Sequence, residues 1–342
     1  MKKNFFLSQK NCVYMIAEVG SAHEGSYATA KKIINQACQS NTDAIKFQIY
    51  KSSTLTSEKF TKDRYKHFSK LELNIEQYKN LIKICRKNNK NVGASIWDKD
   101  LIKTFSSLVD FYKIGSGDCT NFEIINEILL TSKPLIISTG LSSLEDIRKM
   151  INFIKKKNPE YLTQKKLALL HCNASYPTPL ADCNLGSIKF LQKKLSLTVG
   201  YSDHTIGDFA LIGAFFSGAK IIEKHFSNDP QRKTFRDNEI SFDKNALDNF
   251  LNKINQLKNM LSIKKTKTTK SEKNQNNLFS ARRSVYAKKE IKKGHTISPN
   301  DLINLRPKIG VCSSRFFNLV GKKLNKSKKK NDPIFIRDIL DE

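Results

Sequence analysis

No apolar stretch in this chain of 342 residues approaches the roughly 18 residues that carry a helix across a bilayer, so no membrane span is expected. The apolar part of Met1-Lys-Lys-Asn-Phe-Phe-Leu7 is too short for a secretory leader. Cysteine is sparse and unpatterned: seven residues, an odd count, without a C-x-x-C pair. That excludes a disulfide framework and leads us to expect reduced thiols in a cytoplasm. Acidic residues are also scarce, 32 against 60 Lys and Arg, for a net charge of +28. Residues 263–342 hold 21 basic and 7 acidic residues, so +14 of that excess lies in the tail. Such a balance suggests nucleic acid or anionic membrane, and a non-catalytic polyanion binder acting through the tail is one reading. The abundance of Asn, Ile and Phe, as A+T-rich coding would produce, favours a solvated surface instead. We therefore expect neither nucleic acid nor membrane as a partner. No internal repeat is visible.

What is present is alternation. Short β-type runs lie at Val13–Val19, Ala44–Ile49, Val92–Ser95, Phe111–Ile114, Leu135–Ser138, Leu167–His171, Leu197–Tyr201 and Lys220–Ile222. Helical patterns follow them at Tyr27–Gln39 (Ser26 as N-cap), Ile75–Asn88, Lys99–Ser107, Phe122–Leu130, Ser143–Lys156, Leu185–Lys194, Ile206–Ser217 and Lys244–Leu261. Strands alternating with helices imply a parallel sheet, and eight such units in about 250 residues is the size of a (β/α)8 TIM barrel. Residues 1–262 are read as that barrel and 263–280 as a polar linker. Residues 281–342 are read as a small, mostly β module, with Lys326–Lys330 as a solvated loop.

In such a barrel, chemistry sits at the C-terminal strand ends. Those positions carry His23, Glu24 and Gly25; Lys46 and Gln48; Ser95; Lys113 and Ser116; Ser138, Thr139 and Gly140; His171, Asn173, Ser175 and Tyr176; Ser202 and His204; Glu223 and His225. Singly, each has a bland explanation, such as a snorkelling lysine or a helix cap. Together they form a polar ring. Two lysines, hydroxyls and Gly-rich turns suit a phosphate and a carboxylate. His204 and His225, at the ends of neighbouring strands, suit a divalent metal that polarises a carbonyl. Two unrelated histidines remain the alternative, as does a barrel aldolase with Lys46 or Lys113 as Schiff-base lysine.

The chain resembles the sialic acid (N-acetylneuraminate) synthase family, with its pseudaminic and legionaminic acid relatives. The resemblance rests on Ile16-Ala-Glu-Val-Gly-Ser-Ala-His-Glu-Gly25, Asp43-Ala-Ile-Lys-Phe-Gln48, Tyr112-Lys-Ile-Gly-Ser-Gly-Asp118 and Lys133-Pro-Leu-Ile-Ile-Ser-Thr-Gly140. It continues through Leu169-Leu-His-Cys172, Tyr176-Pro-Thr-Pro179, Val199-Gly-Tyr-Ser-Asp-His-Thr205 and Ile222-Glu-Lys-His-Phe226. Ala281-Arg-Arg-Ser284, Lys289-Glu-Ile-Lys-Lys-Gly294 and Leu305-Arg-Pro307 look like the antifreeze-like (SAF) domain that follows the barrel in that family.

The resemblance implies condensation of phosphoenolpyruvate with an N-acetylated hexosamine to a nine-carbon 2-keto acid. It implies that Lys46, Ser95, Lys113, Ser116, Ser138 and Ser202 bind phosphoenolpyruvate. His204 and His225 would hold Mn2+ or Mg2+, with Glu24 and Glu223 catalytic beside them. Gln48, Asn173, Tyr176 and Asp237 would contact the sugar. Arg306 would reach into a partner subunit's site, which implies a domain-swapped homodimer. The chain departs from the family pattern on the sugar side. Ile96 stands where a proline is expected, Ala174 replaces an asparagine, and Phe235-Arg236 replaces Gly-Pro. The reaction type is thus better marked than the sugar.

Overall fold

The computed structural model describes residues 5–6, 11–232, 234–261 and 268–340. The chain divides into two compact units, Met1–Ser262 and Ile263–Glu342. In the first, eight strands close into a parallel barrel in sequence order. They are β1 (Tyr14–Glu18), β2 (Ala44–Ile49), β3 (Asn91–Ile96), β4 (Phe111–Ile114), β5 (Leu135–Ser138), β6 (Leu167–Cys172), β7 (Thr198–Asp203) and β8 (Ile221–His225). Closure joins β1 to β8, with Glu18 level with His225.

The period-2 alternation of each strand sorts residues into two layers. Ile45, Phe47 and Ile49 of β2 pack outward against the helices, while Ala44, Lys46 and Gln48 point inward. The lower interior is apolar, filled by Tyr14, Ile16, Phe111, Ile136, Leu170 and Ile221, with Phe6 packed against it. Gly93 leaves room for Phe111, since a Cβ there would meet the ring at 2.2 Å. The inward positions above this plug are Glu18, Lys46, Ser95, Lys113, Ser202 and Glu223. The polar mouth is thus a consequence of which residues occupy the upper inward positions of the strands.

The outer helices include Tyr27–Gln39, where Ser26 Oγ accepts from Thr29 N as its position predicted. The helix Lys62–Leu71 was not predicted, because its sequence is charged and it buries only Leu71. It is anchored from below by the turn after β1. Gly25 has φ +80, and a Cβ there would meet the Lys70 carbonyl at 2.1 Å.

The second unit pairs β9 (Ser284–Ala287) antiparallel with β10 (Leu302–Leu305) around Val285, Ile291, Ile297, Leu324 and Ile334. One expectation gains detail here and one is corrected. Residues 263–267 of the expected linker lie outside the described residues. The rest carries short helices at Lys270–Asn274 and Asn277–Ser280, the first closed by a Thr269/Glu272 capping box. Within the expected solvated lysine loop, Lys328 is buried, paired with Asp338 and donating to the Pro333 carbonyl at 2.9 Å.

Candidate active site

The C-terminal ends of the strands surround a cavity of about 720 Å³. Its floor is a buried charge network. Lys46 Nζ is ion-paired with Glu18, lies 3.3 Å from Ser95 Oγ and 3.9 Å from Glu223. Lys113 Nζ donates to Glu223 Oε1 at 2.8 Å, and Ser202 Oγ donates to the same oxygen at 3.0 Å. Gln48 Nε2 donates to Glu18 Oε1 at 2.9 Å. Ser138 Oγ is buried without a hydrogen-bond partner among the described residues. A buried hydroxyl without a protein partner is a donor that an oxygen-rich ligand could use.

The two carboxylates of this floor differ. Burial opposes the charge on Glu223, yet Lys113 and Lys46 outweigh it and hold the group at about 2. Glu18 moves the other way, raised by burial despite Lys46. Burial also opposes the Lys46 ammonium, but Glu18 and Glu223 prevail and raise it, so Lys46 stays charged.

One wall is aromatic. Tyr176 stacks on His204 with centroids 4.0 Å apart, and the His204 and His225 rings are 5.4 Å apart. His204 Nδ1 lies 2.6 Å from the Asn173 carbonyl, which can only accept, so Nδ1 carries the proton and Nε2 keeps its lone pair. Burial lowers His204 to about 4, helped by His225. Burial lowers His225 to about 3, with Lys46 adding to the effect. Neutral imidazoles with a free lone pair are what a divalent ion requires. Among the described residues no cluster of three or more His, Cys, Asp and Glu forms a complete cage. The two imidazoles are thus the metal-type donors that converge here, and any further positions on an ion would fall to water or substrate. Asp237 Oδ2 is 3.7 Å from His225 Nδ1, and burial raises its carboxyl.

All six residues expected to hold phosphoenolpyruvate line this cavity, as do Gln48, Tyr176, His204, Glu223, His225 and Asp237. Two residues expected at this site do not. Glu24 turns to the loop after β8, where its Oε1 accepts from Arg232 at 3.2 Å and Thr234 at 2.9 Å. Asn173 lines a separate cavity of about 310 Å³, its side chain donating to the Asp182 carbonyl. Arg306, expected to serve a partner subunit's site rather than this one, belongs to the second unit, where it is exposed. Sequence reasoning missed Glu18, although the inward alternation Tyr14, Ile16, Glu18 marks it. It also missed Arg64 and His67, which the unpredicted helix brings to the rim.

Residues 33–266 match the NeuB family, and residues 282–340 match the SAF domain. The chain belongs to the NeuB family. The N,N'-diacetyllegionaminic acid synthase of Campylobacter jejuni is 32% identical over 94% of this chain and 98% of its own. The pseudaminic acid synthase of the same organism is 30% identical over 97% of both chains. A crystal structure of N-acetylneuraminic acid (sialic acid) synthetase from Leptospira borgpetersenii, in complex with citrate, superposes with a TM-score of 0.69 at 29% identity. It covers 79% of this chain and 92% of that one. In this NeuB-family barrel, of the three sugar-side departures, Ala174 and Phe235-Arg236 line the cavity, whereas Ile96 packs outward in the helix layer.

Proposed function

We propose that this NeuB-family protein is a nonulosonic (sialic) acid synthase. It condenses phosphoenolpyruvate with an N-acetylated hexosamine, such as N-acetylmannosamine or a diacetamido-trideoxyhexose, giving a nine-carbon 2-keto acid and phosphate. The observation that carries this is one cavity with two buried lysines on its floor, an imidazole pair on its wall, and Glu223 between them.

Lys46, Lys113 and the hydroxyls of Ser95, Ser116, Ser138 and Ser202 bind the phosphate and carboxylate of phosphoenolpyruvate. A divalent ion held by His204 and His225, Mn2+ or Mg2+, would supply Lewis acidity to the acceptor's carbonyl oxygen. Carbon 3 of phosphoenolpyruvate bonds to the acceptor's carbonyl carbon, whose oxygen takes a proton. Carbon 2 is left electron-poor, and Glu223, ionised beside it, stabilises that charge. Water adds to carbon 2 and loses a proton, for which Glu18, raised by burial, is the better acceptor. The hydroxyl on carbon 2 then gives up its proton and becomes the keto oxygen as the bond between carbon 2 and the phosphate oxygen breaks, releasing phosphate. Tyr176, Asp237 and Gln48 face the sugar.

Schiff-base chemistry needs a neutral amine, whereas Lys46 is held charged beside Glu18 and Glu223. We further propose a cytoplasmic homodimer with Arg306 serving a neighbouring site. The test is phosphate release from phosphoenolpyruvate with Mn2+ and a panel of N-acetylated hexosamines. Release with one sugar, abolished by EDTA and by His225→Ala in a folded variant, is expected. Turnover surviving EDTA and His225→Ala would overturn the metal assignment, and silence with every acceptor would overturn the reaction.

A further inference from the structure

Behind the imidazole wall lies a second buried charge pair, on the opposite face of the sheet. Ser202 of β7 and Glu223 of β8 line the cavity. The residues after them, Asp203 and Lys224, take the outward parity that Val199, Tyr201 and Ile222 use to pack in the helix layer. The two are level in the sheet. Lys224 Nζ donates to Asp203 Oδ2 at 2.5 Å, with both side chains 0% exposed. The same ammonium donates to the Thr205 carbonyl at 2.6 Å and stands 5.0 Å from the centroid of the Phe242 ring. Asp203 Oδ1 accepts from Thr205 N at 3.1 Å, and Oδ2 accepts from the Thr205 hydroxyl at 3.2 Å.

A charge pair set in an apolar layer is a poor source of stability, because desolvating two charges offsets most of their attraction. Its partners indicate another role. Asp203 precedes His204 and Thr205 follows it, so the pair grips the backbone on both sides of that histidine. Lys224 also directly precedes His225. Two backbone bonds complete the frame: the His204 carbonyl accepts from Thr178 N at 2.9 Å, and the His225 carbonyl accepts from Phe242 N at 2.8 Å. Phe242 is the residue whose ring lies beside the Lys224 ammonium. The peptide units that carry both imidazoles are therefore tied to one buried pair, behind the wall where the rings stand 5.4 Å apart. Neither Asp203 nor Lys224 lines the cavity.

We infer that Asp203 and Lys224 are positioning residues: they hold His204 and His225 at the separation that one divalent ion requires, without touching ion or substrate. The inference rests on the reading above of a synthase with His204 and His225 as metal ligands. An ion shared by imidazoles from two strands tolerates little change in their spacing. Outer partners that orient metal ligands are typically worth roughly ten- to a hundredfold in metal affinity.

The experiment removes both charges together, in the double variant Asp203→Asn with Lys224→Met, which keeps both side chains near their size and an acceptor for Thr205 N. Mn2+ alone is titrated into the metal-free protein, and free Mn2+ is read from its electron paramagnetic resonance signal. Thermal unfolding and calorimetric binding of phosphoenolpyruvate without metal are measured on the same samples. The expected result is a Mn2+ dissociation constant raised at least tenfold, with the thermal midpoint within a few degrees of the parent's and phosphoenolpyruvate binding changed less than twofold. Turnover at limiting Mn2+ should fall in proportion and recover at least in part at saturating Mn2+, which loss of fold would not allow. Parent-like Mn2+ affinity in the double variant overturns the inference and leaves the synthase reading standing. A parent that binds no Mn2+ removes the metal reading and the inference with it. A parent that binds Mn2+ but turns over no acceptor sinks the synthase reading alone, and the two Mn2+ affinities still decide. Should the double variant fail to fold, Asp203→Asn alone takes its place. A Mn2+ affinity lowered threefold or more in that folded protein supports the inference, and an unchanged affinity overturns it.

Discussion

Lys113 Nζ and Glu223 Oε1 meet at 2.8 Å across the top of the barrel, both side chains almost completely buried. Two such charges persist only as a pair, because removing one partner leaves the other uncompensated at a cost of about 3–5 kcal/mol. Glu223→Gln keeps an acceptor for Ser202 but removes the negative charge from between Lys113 and Lys46. Thermal unfolding should move down by several degrees. Phosphoenolpyruvate should bind at least as tightly, since two lysines now face it without a competing carboxylate. Turnover should fall at least a hundredfold, a loss of roughly 3 kcal/mol in transition-state stabilisation. Weaker phosphoenolpyruvate binding with unchanged kcat would show that Glu223 holds substrate rather than serving the reaction.

Glu18 and Glu24 lie in the same quoted motif, yet only one enters the cavity. Glu18 pairs with Lys46 and accepts from Gln48, whereas Glu24 accepts from Arg232 and Thr234 on the loop after β8. Glu18→Gln should therefore reduce kcat by two or more orders of magnitude. Glu24→Gln should change it less than tenfold, through loosening of the loop. Parallel steady-state kinetics of the two variants check this, and a reversed order would return the proton-handling role to Glu24.

The contrast shows what was legible in the sequence. Polar residues at the ends of β-type runs identified the ring because a barrel strand has a fixed inward parity. Lys46, Ser95, Lys113, Ser202 and Glu223 could thus be placed from their positions at or just beyond the ends of those runs. Glu18 obeys the same parity but was passed over for Glu24, which sits in a turn where no period applies. The helix Lys62–Leu71 was invisible because burial of one leucine leaves no apolar stripe to read. With it went Arg64 and His67. Lys328 was hidden for the converse reason: in a run of lysines, nothing local tells which one finds Asp338 across the fold.

Stability should depend on pH through His23. Burial lowers this ring to about 4, against the opposing pull of Glu24, and its Nδ1 accepts from the Gly25 N–H at 3.1 Å. The folded value lies below the unfolded value of about 6.5, so the unfolded chain binds the proton and the native one does not. The stabilisation is fully present above pH about 6.5 and is lost progressively as pH falls toward 4, by roughly 3 kcal/mol at its full extent. His23→Asn keeps an acceptor for Gly25 and removes the titration. Urea unfolding at pH 7 and pH 4.5 should show a smaller pH difference in that variant than in the parent. An unchanged difference would place the acid sensitivity elsewhere.

Arg306 tests the assembly proposed for this enzyme. It is exposed in the second unit, at the end of β10. An exposed arginine with no side-chain partner among the described residues should be removable without unfolding the SAF domain, so Arg306→Ala should keep the parent's thermal midpoint within about a degree. If its guanidinium serves a neighbouring subunit's sugar site, the variant's KM for the acceptor should rise tenfold or more while its KM for phosphoenolpyruvate stays within twofold. Mixing Arg306→Ala with His225→Ala then separates the two arrangements. Within a swapped dimer, one mixed site pairs a wild-type barrel with a wild-type arginine from the other chain, and turnover at low acceptor concentration should partly recover. No recovery on mixing, with the acceptor KM still raised, would mean that Arg306 acts on the barrel of its own chain.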